Sequence, residues 1–451
     1  MKIQRQAFFI MSIGLLGTII FIAGSATSQH VNNIFAYSLI VLTGVLLFGC
    51  FRTCFMMKEI LSPIFFANAF STFVFIARPV QIMLSANDIS KVYVIGMYNK
   101  LGGGLTYNEL PILQASFIGF LGILFLNLFY FGIRIPLETS QLSLLHDLVP
   151  NNNKKGISGK QGISISMVMI PAILSMLSFI IKQVILKTAI SMIDIIWLYI
   201  LCALVIYLVV YFRKASFFVY FIIAVSATVL GIASKRMYVV NLIICLIVPL
   251  YYLGNDRKKT IRKVLLMVAF MLGLVLIYGS IRADRIGATQ GTIVEQLLDE
   301  FCMYDMLLVS LSHCSQGLFH GYNFLTVFSI VLPGVNITSF DHELTNVVFN
   351  GAFNGGIPIT LYGSLYMNFS YLGLMIGSGI LGVFLRKIRN KYTQIVSIHG
   401  VMLYAIFTTF AYDIIRVGDI GREVWTCIIM IAVAKIFLFV VPCDDIGEDY
   451  E

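Results

Sequence analysis

Apolar residues fall along this chain in repeated blocks of about twenty, the length of helix that crosses a bilayer, separated by short polar stretches. The blocks place twelve spans near 7 to 25, 34 to 51, 60 to 77, 112 to 133, 165 to 181, 189 to 212, 216 to 233, 237 to 254, 264 to 281, 362 to 385, 397 to 414 and 424 to 441. Twelve is even, so both termini share one side. The N-terminus, MKIQRQ followed by a long apolar run, reads as the first helix, because that run exceeds the core of a signal peptide. The pattern predicts an all-α polytopic membrane protein, one transmembrane domain over 1–451.

Two connections are long: 78–111 and the eighty-residue stretch 282–361. A connection of that last size usually carries function. Within it, TIVEQLLDEFCMYDMLLVSLSHC keeps Ile293, Leu297, Leu298, Phe301, Tyr304, Leu308 and Leu311 at helical spacing, with Glu295, Asp299 and Asp305 on the other side. This reads either as an amphipathic helix on the membrane surface or over a cavity, or as one packed on its neighbours. The remainder, from LPGVNITSFDHELTN to GGIPITLYG, is rich in Gly and Asn, a composition that brings backbone and amide groups close to a ligand or simply connects helices.

Composition supports this picture: of 451 residues, 59% are hydrophobic and 12% charged. The net charge of +9 does not point to nucleic acid, because the basic residues sit where insertion topology places them. Nineteen of the 31 Lys and Arg fall in the connections on the side of the termini, including the 135–164 loop, which makes that side cytoplasmic and leaves 78–111 and 282–361 periplasmic. Most of the eight cysteines lie in or beside apolar helices, and the spacing of Cys50 and Cys54 lacks the histidines or second pair of a metal site. Cys302 and Cys314 share the largest outer loop, where a disulfide is open.

Six arginines fall on the outer side, and five of them stand at three helix junctions: Arg236 in SKRM, Arg282 and Arg285 in SIRADR, and Arg416 and Arg422 in YDIIRVGDIGRE. Arg282 and Arg285 are three apart, as are Asp413 and Arg416, so each pair shares a helix face. One outer arginine alone is an interfacial anchor; five at three junctions match a diphosphate, which guanidinium forks bind bidentately. Acid-base candidates on that side are Asp341, His342 and Glu343, with Asp284, Asp413, Asp419 and Glu423 read as salt-bridge partners.

The stretches SKRMYVVNLIICL, SIRADR, HGYNFLTVFSIVLPG, GIPITLYGSLYMNFSYLG and YDIIRVGDIGRE, in that order, resemble the landmarks of Wzy-type oligosaccharide repeat-unit polymerases, which include the O-antigen and enterobacterial common antigen polymerases. Where many members carry Trp or a second Pro after the proline matched by Pro333, this chain reads GVNITSF. The resemblance implies a GT-C-like fold of the bacterial inner membrane, with an active site on the periplasmic face. It further implies an inverting, metal-independent glycosyltransferase without cofactor, which takes undecaprenyl diphosphate-linked oligosaccharides as donor and acceptor and works with a Wzz-type chain-length co-polymerase. Arg236, Arg282, Arg285, Arg416 and Arg422 would hold the diphosphate, and Asp341, His342 or Glu343 would take the proton. The ligases that attach O-antigen to lipid A core share this architecture and are the alternative. A flippase is a further one, disfavoured because mid-span charge is nearly confined to Asp194 and Lys435.

Overall fold

A computed structural model describes residues 2–27, 29–57, 59–132, 192–212, 237–253, 298–314, 319–329, 338–353, 355–394 and 398–440, with single positions at 181, 219, 223, 262, 266, 273 and 295. Every regular element among the described residues is helical. Six helical stretches, Gln6–Ser25, Asn32–Met56, Pro63–Leu84, Ile112–Gly132, Thr360–Tyr392 and His399–Val417, are long and apolar enough to cross a membrane. The chain is therefore a multi-pass helical protein by length and composition. Apart from those single positions, the expected spans 165–181, 216–233 and 264–281 and the 135–164 loop lie outside the described residues.

The chain divides into two compact units. The first comprises Met1–Pro136, Thr289–Lys387 and Ala411–Val424. It contains α1 (Lys2–Ser25), α2 (Gln29–Met56), α3 (Pro63–Thr72), α4 (Arg78–Leu84), α5 (Tyr93–Lys100) and α6 (Ile112–Gly132), which pack α1, α2 and α6 against one another. Close approach depends on glycine: a Cβ at Gly17 would enter the Phe120 ring of α6, and one at Gly122 would enter the ring of Tyr362. Phe21 stacks on Phe117 with ring centres 3.8 Å apart. Some polar side chains inside the bundle are paired across helices: the amides of Asn68 and Asn127 exchange two hydrogen bonds of 2.9 Å. Arg386 donates at 2.6 Å to the carbonyl of Tyr130 in the last turn of α6, where helical carbonyls lack partners.

The second unit comprises Leu137–Ala288, Ile388–Phe410 and Trp425–Glu451. In it α7 (Met192–Phe212) runs along α8 (Met237–Leu253). Tyr252 meets Tyr404 edge-on at 5.3 Å, and Cys245 Sγ lies 3.3 Å from Thr409 Oγ1.

The remaining helices are α9 (Met303–His313), α10 (Tyr322–Ser329), α11 (Phe340–Val348), α12 (Thr360–Gln394), α13 (Ile398–Val417) and α14 (Ile420–Val440). The last three contribute residues to both units, and α12 breaks at Ser370, whose φ of 61° and ψ of −163° belong to glycine's territory.

One expectation is corrected here, and one open alternative is resolved. The span expected to stop at 77 continues to Leu84, through a π-helical turn at Phe73–Ala77 that lets Pro79 fall in the first turn of α4, where a missing N–H costs nothing. Arg78 stays inside because carboxylates meet it there. Its Nε and Nη2 donate to the two oxygens of Asp305 at 2.8 and 2.5 Å, and its Nη1 donates to Asp299 at 2.8 Å and Gln81 at 2.6 Å. Of the two readings of the loop helix, its described residues 298–314 follow the one packed on its neighbours. Met303 to Ser310 are buried all round in α9, and Asp305, expected on the polar side, is the buried partner of Arg78. The Tyr304 hydroxyl reaches Ser116 Oγ at 2.9 Å and further ties α9 to α6. Cys302 and Cys314 stand at opposite ends of α9, and about 1.5 Å of rise per residue separates them by roughly 18 Å, beyond a disulfide.

Removing one partner of a buried ion pair strands the other. Arg78→Ala should lower stability by about 3–5 kcal/mol, whereas the double change Arg78→Met with Asp305→Leu should recover most of that loss. Thermal unfolding of the detergent-solubilised variants measures both.

Candidate functional site

The carboxyl group of Asp419 occupies the link between α13 and α14 and serves two helix starts. Its Oδ1 accepts the backbone N–H of Arg422 at 3.1 Å, in the first turn of α14, while its Oδ2 accepts the N–H of Phe340 at 3.2 Å, the first residue of α11. The link can run here because Gly418 has φ of 74° and sits so close to the Thr360 carbonyl that a Cβ would collide with it. One carboxylate thus brings the segment 340–348 to the segment 419–423.

That juxtaposition places Asp341 beside Arg422. Asp341 Oδ2 lies 3.6 Å from Arg422 Nη1, and Asp341 Oδ1 accepts the His342 N–H at 3.0 Å. Above them passes the Gly-rich turn. A Cβ at Gly356 would stand 2.7 Å from Asp341 Oδ2 and 2.8 Å from His342 Cδ2, so only glycine lets the backbone cross there. Thr345 holds that crossing: its Oγ1 donates to the Asp341 carbonyl at 2.6 Å and accepts the Ile357 N–H at 2.9 Å.

The arginines of this region are engaged by carboxylates. Arg422 Nε donates to Glu423 Oε1 at 3.0 Å. Arg416 Nη2 and Nε donate to Asp413 Oδ1 at 2.7 and 3.2 Å, and its guanidinium stands 5.8 Å from the Tyr412 ring centre. The charges of Asp413, Arg416 and Arg422 all act on Glu423, so the two pairs form one cluster. Among the described residues, the buried carboxylates of Asp341, Asp413 and Glu423 pair with the guanidiniums of Arg416 and Arg422, and the buried carboxylate of Asp419 caps the two helices. No three His, Cys, Asp or Glu side chains among the described residues are arranged to hold a metal ion.

Burial pushes the Asp419 carboxyl up; the positive charge of Arg422 opposes this and the negative charge of Asp341 adds to it, leaving Asp419 above its ordinary value. Burial alone would also raise Asp341. The Arg422 guanidinium, a hydrogen bond from Ser339, and the charge and N–H of His342 overcome it and hold Asp341 below its ordinary value.

Of the residues expected to act, Asp341 and Arg422 are brought together, with Arg416 in the same cluster. His342 is exposed at the edge of α11, and half-buried Glu343 accepts a hydrogen bond from Thr338 Oγ1 at 3.1 Å. Arg236, Arg282 and Arg285 lie outside the described residues. Asp419 was expected as a salt-bridge partner; its sequence signal as a cap is an aspartate directly ahead of a new helix, after a glycine. Comparison with protein-family models, with curated proteins and with solved structures finds no match for this chain.

Asparagine at 419 keeps one acceptor for α14 but turns an amide toward the Phe340 N–H. Asp419→Asn should therefore cost about 1 kcal/mol and speed hydrogen exchange at the start of α11 while sparing α14. It should also flatten the pH dependence. A raised carboxyl contributes stability below its unfolded value and loses it as pH rises through the folded one, so the wild type should lose stability over that interval and the variant should not. Thermal unfolding across pH, with amide exchange read by mass spectrometry, checks both.

Proposed function

We propose that this protein is a membrane glycosyltransferase that polymerises lipid-linked oligosaccharide repeat units at the periplasmic face of the bacterial inner membrane. The observation that carries the reading is the buried meeting of Asp341 and Arg422, 3.6 Å apart, in two of the stretches that resemble the Wzy-type polymerases or adjoin their landmarks. A structural ion pair alone does not need a glycine turn laid against its carboxylate, as Gly356 lies against Asp341.

In this reading a hydroxyl of the incoming unit's terminal sugar attacks the anomeric carbon of the growing chain. The new C–O bond forms as the bond to undecaprenyl diphosphate breaks, and that electron pair leaves with the diphosphate. The hydroxyl proton passes to Asp341, which Arg422 keeps ionised and ready to accept it. Charge developing on the leaving diphosphate calls for guanidiniums that are strongest in the transition state. Arg416 and Arg422 spend their forks on carboxylates, so that task falls to Arg282 and Arg285, with Arg236. The growing chain on its carrier is the donor, and a Wzz-type co-polymerase is the proposed length regulator.

A lipid-linked oligosaccharide flippase is the second reading. It is favoured by the Arg78–Asp305 pair, since ionisable groups buried in a spanning helix often mark a transport path. Deletion in the host separates the readings. Loss of a polymerase leaves lipid A core bearing single repeat units on electrophoresis. Loss of a ligase leaves bare core with accumulated lipid-linked polymer, and loss of a flippase leaves bare core without external polymer; either pattern overturns the proposal.

The arginine roles make separate predictions. Arg416→Lys should retain polymer, because an ion pair with Asp413 accepts lysine. Arg285→Lys should fail nearly as fully as Arg285→Ala, with a loss of about a hundredfold for a diphosphate fork. Asp341→Asn should lower the rate of chain extension by about 10²–10⁴-fold. In wild type, extension should persist as pH falls to the ordinary carboxylate range and disappear only below it, because Arg422 holds Asp341 ionised. Polymer ladders from complemented cells and from reconstituted enzyme measure these effects.

A further inference from the structure

Helices α10 and α11 are near neighbours in sequence, yet their polarity is arranged in opposite senses. On α11 the apolar Phe340, Leu344 and Val348 are buried while His342 and Asn346 are exposed, the order expected beside water. On α10 the polar Asn323 and Thr326 are buried, and Phe324, Leu325 and Phe328 are exposed at 44%, 52% and 55%. Polar groups inside and large apolar groups outside is the order that hydrocarbon solvent selects.

The buried face is fully occupied. Asn323 Nδ2 donates to the Gly418 carbonyl at 2.6 Å and to Ser364 Oγ, and Asn323 Oδ1 accepts the Ile420 N–H at 2.9 Å. The Thr326 hydroxyl lies 3.3 Å from Asp419 Oδ1. His320 and Gly321, at φ of 42° and 88°, turn the chain into α10 beside the Phe369 ring. The exposed face continues onto α12: the Phe324 and Phe369 rings meet at 5.5 Å, and Leu372, Ile376 and Ile380 extend the exposed stripe along a helix long and apolar enough to cross the membrane.

We propose that α10, within a stretch the hydropathy pattern assigns to an aqueous loop, is embedded in the acyl-chain region of the bilayer with Phe324, Leu325 and Phe328 against lipid. The continuous stripe on α12 identifies the occupant, since the same lipid that covers Leu372 reaches Leu325. Through Asn323 and Thr326, the lipid-facing helix is bonded directly to the 418–420 link. Resting on the function proposed above, this puts the candidate site at the edge of the membrane, open to a ligand that arrives sideways on a lipid anchor.

The test uses the full chain with Trp197→Phe and Trp425→Phe, reconstituted in phosphatidylcholine vesicles with brominated acyl chains. Leu325→Trp and, separately, Phe328→Trp serve as reporters. Leu372→Trp is the lipid reference and Asn346→Trp the aqueous one. Each reporter should lose at least half as much fluorescence to bromine as the Leu372→Trp variant and little to aqueous iodide, the reverse of the Asn346→Trp variant. Quenching by iodide without bromine would place α10 in water and overturn the proposal. Quenching by neither would show the face covered by protein, such as a second copy of the chain, and would overturn it equally. These outcomes do not depend on catalysis, so they stand apart from failure of the polymerase reading.

Discussion

A guanidinium withdrawn from water must meet carboxylates at hydrogen-bond distance, and in this chain that requirement decides which remote segments come together. Arg78 draws in Asp305 and Asp299 from more than two hundred residues along the chain, and so fixes α9 against the helix that runs to Leu84. Arg422 does the same with Asp341. Two segments that hydropathy leaves as connections, α9 and α11, carry the counter-charges for these arginines.

Where the pattern of apolar blocks was long and clean, it located helices within a few residues: the block near 112 to 133 is Ile112–Gly132, and that near 237 to 254 is Met237–Leu253. It misplaced the end of the third span, because Arg and Pro in succession are punctuation for a hydropathy window. Only the distant aspartates make Arg78 an interior residue, and no local window contains them. The same blindness affected Asp305, whose spacing placed it on a polar face. Helical period says which residues share a side, and tertiary partners decide whether that side is wet.

At the site, the DHE triplet and the RVGDIGRE segment were both legible as chemistry, since charged residues are scarce in so apolar a chain. Their convergence was not, because it runs through backbone N–H groups that every sequence possesses and none advertises. The spacing of Asp413 and Arg416 did foretell their pairing.

The double cap by Asp419 carries a consequence for local opening. With Phe340 and Arg422 both donating to the same side chain, the start of α11 and the start of α14 cannot fray independently: releasing either removes a counterpoise from the other. The two termini should thus behave as one cooperative unit in native-state exchange, and damage at either should be non-additive with damage at the other.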